Sequence, residues 1–256
     1  IKINIMSSIV YLRILGYVAT IAMHVGNMAY LNFNIKKELI DDPELKTFGK
    51  LQPRYFTCWT FFLQILHAIV GLICDYLIIS NAKNKVYKLP KYLKGFKNTL
   101  FSAVLWPSTW SQDVIYTGFL QVVFTVFWSL FLYDRQLIFP TFVDKVLTTT
   151  SNHIMHTAIV GVVLWEVIFL PRTEPRSHKR NLFHLTFHLL LYFAVLVYTY
   201  IEHGVWIYPI FSKLYGTIFF PILPIIIGVV AIGFYYLQWS LTRLFWGNKS
   251  KAKKIR

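Results

Sequence analysis

Apolar residues in this chain come in unbroken blocks rather than at the spacing that gives a helix one apolar face. Residues 55–79, 114–133, 156–170, 182–201 and 218–237 are such blocks. Each comes close to the roughly 20 mostly apolar residues that a helix needs to cross the hydrocarbon core. Lipid offers the backbone no hydrogen-bond partner, so blocks of this kind must satisfy their own N–H and C=O groups, as helices do. Composition agrees: 14% of the 256 residues are charged, against about a quarter in a soluble domain. Mean hydropathy is +0.51. The expectation is an all-α, polytopic membrane protein.

The formal net charge of +15 raises nucleic-acid binding as a function, and its distribution argues against it. Lys83, Lys85, Lys88, Lys91, Lys94 and Lys97 fill one connection between blocks, and Arg172, Arg176, Lys179 and Arg180 fill another. Lys249, Lys251, Lys253, Lys254 and Arg256 form a basic tail, 248–256. Basic residues in short connections orient a polytopic protein with that side cytosolic, and they face anionic headgroups. The expected partner is therefore the bilayer, with no nucleic acid. Cys58 and Cys74 fall in one expected helix about 24 Å apart, beyond disulfide reach.

Six spans are expected, at about 8–31, 55–80, 114–133, 153–170, 182–203 and 215–241, forming a single unit without a soluble domain. Pro107 and the polar run 108–113 break the segment before the third span, so 101–110 is expected to be interfacial or re-entrant. Six crossings put both termini on one side, and the dense Lys/Arg runs make that side cytosolic. The first block lacks a small-residue cleavage site and is expected to be a retained helix. Lys253-Lys254-Ile255-Arg256 resembles a dilysine retrieval signal, which favours the endoplasmic reticulum and other endomembranes. A basic tail against headgroups is the plainer reading, and the plasma membrane is the alternative location.

Polar groups inside a span are costly and point to function. In the expected topology the second span begins on the outer side with Thr57 and Thr60, and the third leaves there at Asp134 and Arg135. The fourth enters there with Asn152, His153 and His156, and the fifth leaves with Glu202 and His203, followed by Trp206 and Tyr208. His24 lies in the outer half of the first. This convergence on one leaflet suits ester hydrolysis. A hydroxyl nucleophile needs an adjacent base, and histidine titrates near working pH. Lipid would enter sideways and water from the outer side. Arg135, Asn152 or a helix-end N–H are open alternatives for stabilising an oxyanion. Plainer readings stand beside these: threonine in a membrane helix usually packs or bonds its own backbone, and a pair such as Asp134–Arg135 is more often a membrane-edge anchor than a catalytic pair.

Three strings sharpen the reading: Tyr133-Asp134-Arg135-Gln136-Leu137-Ile138-Phe139-Pro140, Asn152-His153-Ile154-Met155-His156-Thr157 and Trp206-Ile207-Tyr208-Pro209. Their order and spacing resemble the androgen-induced / androgen-dependent TFPI-regulating protein family over most of the chain. The resemblance implies a six-span hydrolase of fatty acid esters of hydroxy fatty acids, with an intramembrane threonine nucleophile, a histidine and no cofactor or metal. Carried over by position, the histidine is His156. The threonine is Thr57 in Tyr55-Phe56-Thr57-Cys58-Trp59, with Thr60 as a nearby competing match. His153, one turn before His156 on the same face, is given a supporting role, and Asn152, Asp134, Arg135, Glu202, His203 and Tyr208 are further supporting candidates. The implied substrate partner is a branched fatty acid ester.

The stretch 107–121 looks longer than its family counterpart, and the 81–97 loop is unusually rich in lysine. Two other classes compete. A His-ligated membrane metalloenzyme draws on His184-x-x-x-His188 and His153-x-x-His156, but the eight histidines are dispersed and a di-metal site needs several convergent ligands. A non-enzymatic multipass regulator or scaffold is the remaining alternative.

Overall fold

Long apolar blocks become long helices. In a computed structural model, which describes residues 2–38, 42–84, 86–109 and 122–251, the described residues form helices and connecting turns, with no strand among them. In chain order these are α1 (Lys2–Glu38), α2 (Pro43–Leu51), α3 (Phe56–Ser80), α4 (Lys91–Thr99), α5 (Trp106–Thr109) and α6 (Val122–Asp134). They continue with α7 (Thr149–His153), α8 (Ile159–Phe169), α9 (Lys179–His203), α10 (Pro209–Leu214) and α11 (Phe219–Lys251). Among the described residues five stretches are long and apolar enough to cross a bilayer: Ser8–Asn34, Phe56–Ser80, Thr149–Phe169, Lys179–His203 and Phe219–Gly247. The chain is an integral multi-pass membrane protein. Of the expected span 114–133, the structure describes α6; its start and most of 107–121 lie outside the described residues, as does the string Lys253-Lys254-Ile255-Arg256.

Of the segment 101–110, the structure describes 101–109. α4 runs through a π-helical turn, Leu100–Leu105, into α5, and Phe101, Ala103, Leu105 and Trp106 are buried. Polar pairing explains how it enters the bundle. Trp106 Nε1 donates to the Phe234 carbonyl at 2.8 Å, and Gln238 Nε2 donates to the Ser102 carbonyl at 3.0 Å, so neither donor is buried without an acceptor. The last span starts later than expected, because Gly216 (φ +80°) turns the chain between α10 and α11.

α1 and α3 meet along a polar seam. Arg13, Tyr17, Thr20, His24 and Asn27 are buried along one face of α1, and Thr57, Thr60, Gln64, His67 and Asp75 along one face of α3. The helices lie close because Gly71 has no side chain where the Tyr17 ring sits. Arg13 grips Asp75 through Nε (2.9 Å) and Nη2 (2.5 Å). Beside that pair, Glu166 of α8 accepts from Tyr17 Oη (2.5 Å) and Arg172 (2.8 Å), and faces Lys97 Nζ at 3.2 Å. This ionic cluster ties α1, α3, α4 and α8 together at one end of the bundle. Leu31, Phe56, Phe139, Leu147, Met155, Leu196 and Ile207 form the main apolar core toward the other end.

Candidate active site

The site is built on the amino end of α3. Tyr55 is extended (φ −72°, ψ 137°) and offers no side-chain cap, although a helix leaves its first four N–H groups without intrahelical acceptors. The Phe56 N–H donates instead to the hydroxyls of Tyr192 (2.9 Å) and Tyr208 (3.1 Å), which are 3.3 Å apart. Tyr192 stands on α9. Tyr208 reaches the same point because Gly204 (φ +68°) ends α9 in the left-handed conformation, its N–H donating to the Tyr200 carbonyl at 2.8 Å. Trp206 then stacks on Tyr200 at 4.4 Å and folds the return segment over α3. Burial pushes the Tyr208 hydroxyl up to about 12, so it keeps its proton at neutral pH.

Thr57 and His156 line the same cavity, of about 180 Å³, together with Tyr55, Phe127, Tyr192 and Tyr208. Both are buried, 6% and 5% exposed. Thr60, the competing match, is fully buried outside this lining, and its hydroxyl donates to the Thr57 carbonyl at 2.8 Å. His156 enters from a π-helical turn, Ile154–Ala158, between α7 and α8. Its ring stacks face to face on Phe127 (3.5 Å, 5°), and its Nδ1 is buried without a hydrogen-bond partner.

The other expected supporting residues separate into those near this cavity and those on the surface. Tyr208 lines it. Asn152 is buried a turn before His156, with Oδ1 unpartnered, and is not part of the lining. His153 does not share the face of His156: it is exposed, bonds Thr157 Oγ1 at 3.2 Å and stacks on Trp128. A π turn closes at i+5 and widens the helix, so a three-residue spacing there no longer aligns two side chains. Asp134 pairs with Lys213 (3.2 Å), and Arg135 holds Asp144 through one Nη at 2.8 and 2.9 Å. Glu202 pairs with Arg54 (2.6 Å) and has His203 at 3.6 Å. Asp134, Arg135 and Glu202 are ion-paired at the rim of the bundle, His203 lies beside Glu202, and none of the four lines the cavity.

No solved structure matches the chain. The profile of the FAR-17a/AIG1-like protein family matches residues 15–242. The chain belongs to this family. It is 32% identical to the human androgen-dependent TFPI-regulating protein over 231 residues, 89% of this chain and 92% of that one. The mouse protein of the same name is 28% identical over 88% of this chain and 90% of its own length. The human androgen-induced gene 1 protein is 32% identical over 92 residues, 34% of this chain and 36% of that one.

In this FAR-17a/AIG1-like chain, sequence reasoning missed Tyr192 and Phe127, two of the residues that fix the cavity. Neither carries a signal by itself, since both are aromatic residues within apolar runs. It also missed the ionic cluster, although Arg13, Asp75 and Glu166 inside apolar spans were a legible sign. Among the described residues no three His, Cys, Asp or Glu side chains gather as a metal-ligand set. His188 packs instead against the rings of Phe56 (5.5 Å) and Trp59 (6.0 Å).

Proposed function

We propose that this FAR-17a/AIG1-like protein is an intramembrane hydrolase of lipid esters, with Thr57 as nucleophile and His156 as base. The observation that carries the reading is the shared cavity: one buried hydroxyl and one buried imidazole line it beside the amino end of a helix and two phenols. The family resemblance narrows the substrate to fatty acid esters of hydroxy fatty acids. A cavity of about 180 Å³ takes little more than the volume that holds a benzene. It would therefore enclose the ester group while both chains leave through its apolar mouth.

In the first step the Thr57 hydroxyl oxygen bonds to the ester carbonyl carbon as its proton passes to His156. Tyr208 and the Thr57 N–H, a first-turn amide, donate to the oxyanion that forms. With Tyr192 and the Phe56 N–H both donating to Tyr208, its lone pairs are occupied and its own proton points to the cavity. Collapse of the adduct breaks the bond to the alkoxy oxygen, which takes the proton from His156 and leaves as the hydroxy fatty acid. His156 then deprotonates water, which attacks the acyl-threonine and releases the second fatty acid. The proton returns to Thr57. Stacking on Phe127 holds the imidazole in plane, the orienting task a carboxylate performs in a Ser-His-Asp triad.

The architecture proposed with this chemistry is a single six-span unit with both termini cytosolic. α6 is the described part of the third span. The cavity then faces the outer leaflet and the ionic cluster faces the cytosolic one, in endoplasmic reticulum or related endomembranes. Purified protein in detergent should cleave a branched fatty acid ester, and Thr57→Ala and His156→Ala should each fall to the uncatalysed background. Turnover unchanged in either variant would remove this mechanism, and no turnover by the wild type would favour a non-enzymatic regulator.

A further inference from the structure

A second cavity, larger at about 460 Å³, opens between α1, α3 and α8. It lies roughly 10–15 Å further along α3 than Thr57, measured at 1.5 Å per residue to Gln64 and His67. Its wall toward the bilayer is Leu15, Ala19, Val162 and Gly161, and Leu15 and Gly161 are exposed there. Its inner wall is polar. Gln64 and His67 line it one helical turn apart, 1% and 4% exposed; Gln64 Nε2 has no hydrogen-bond partner, while His67 Nε2 faces, at 3.6 Å, the carboxylate of Glu166, which also lines the cavity.

The chemistry of these two groups selects a ligand. Gln64 Oε1 is held by His24 Nε2 at 3.0 Å, so its free end is the amide NH₂, which only donates. A buried donor left in this state is costly, and what completes it is an acceptor. Charge sharpens the choice. Behind His67, the cluster sets Arg13, Lys97 and Arg172 against Asp75 and Glu166, an excess of one positive charge among the described residues. Arg172, 4% exposed in its side chain, also keeps Nε and Nη1 without acceptors.

We propose that this cavity is a second lipid site, which takes a single-chain fatty acid by its carboxylate. The carboxylate accepts from Gln64 Nε2, beside a Glu166 carboxylate that Lys97 and Arg172 already pair, and offsets the surplus cation of the cluster. The chain passes out between Leu15 and Gly161 into the bilayer. The site is separate from the Thr57 cavity and stands whether or not Thr57 is a nucleophile.

The test uses the full chain in phosphatidylcholine nanodiscs with a diazirine-bearing palmitate, and maps the labelled peptides by mass spectrometry. Label is expected on 15–23 and 158–165, and it should be displaced by unlabelled palmitate but not by methyl palmitate. Gly161→Leu plugs the mouth without strain, because a Cβ there meets nothing within 4 Å. It should cut that labelling about tenfold, a loss of roughly 1.4 kcal/mol in affinity, and leave any label around Thr57 unchanged. Gln64→Leu should weaken competition by palmitate in the same assay. Labelling that survives Gly161→Leu, equal displacement by the methyl ester, or no label on these peptides would overturn the proposal.

Discussion

Replacing Tyr208 with Phe separates what its hydroxyl does for the fold from what it does for the reaction. The Phe56 N–H has two acceptors, Tyr192 at 2.9 Å and Tyr208 at 3.1 Å. Removing one leaves that amide satisfied, but the buried Tyr192 O–H loses its acceptor. The structural loss is then that of one orphaned donor, about 1–3 kcal/mol. For a chain of 256 residues this amounts to roughly 2–12 °C in Tm. Loss of a preorganised oxyanion donor costs far more in rate, about 10²–10³ in kcat. KM should barely move, because the bond is made only in the transition state. The assay is steady-state ester cleavage by purified wild type and Tyr208→Phe, with melting of both in the same detergent. A variant that melts a few degrees lower and retains kcat within about threefold would refute Tyr208 as an oxyanion donor. A collapse in Tm with an equal loss of both constants would show the hydroxyl to be structural.

The same geometry sets three further outcomes. Thr60→Val and His153→Ala should keep ester turnover within about threefold of wild type, the first group being committed to the Thr57 carbonyl and the second facing Trp128; a background rate in either would relocate the site. Asp75→Asn leaves Arg13 buried without its countercharge and should cost about 3–5 kcal/mol, while Arg13→Met with Asp75→Leu should recover most of it; thermal melts of the three proteins decide this. The hydrogen bond from Lys145, 2.6 Å, holds the Asp42 carboxyl below its ordinary value. That contribution is complete above the unfolded-state pKa and is lost as pH falls through the folded one, so the melting difference between wild type and Asp42→Asn should be present at neutral pH and vanish in acid.

Block length and apolarity were enough to read helices at 55–80 and 182–203, which the structure has at Phe56–Ser80 and Lys179–His203, because lipid leaves the backbone little alternative to a helix. The burial of 101–106 was not legible because its place depends on distant partners. Trp106 and Ser102 find theirs at Phe234 and Gln238, more than a hundred residues away. A polar cluster at one leaflet was legible from topology, and the family resemblance singled out Thr57 and His156 within it. Asp134, Arg135, Glu202 and His203 carried the same signal, since a charge at a helix end looks alike whether it meets a substrate or a salt-bridge partner. Their partners, Lys213, Asp144 and Arg54, emerge only in three dimensions. His153 and His156 were placed on one face by an α-helical period that the local π turn breaks.

Covalent trapping of Thr57 tests the catalytic account most directly. Membranes containing the protein, treated with a long-chain fluorophosphonate and mapped by peptide mass spectrometry, should carry one adduct at Thr57, absent in His156→Ala. An adduct elsewhere, or inhibition of ester cleavage with the Thr57 peptide unmodified, would contradict it.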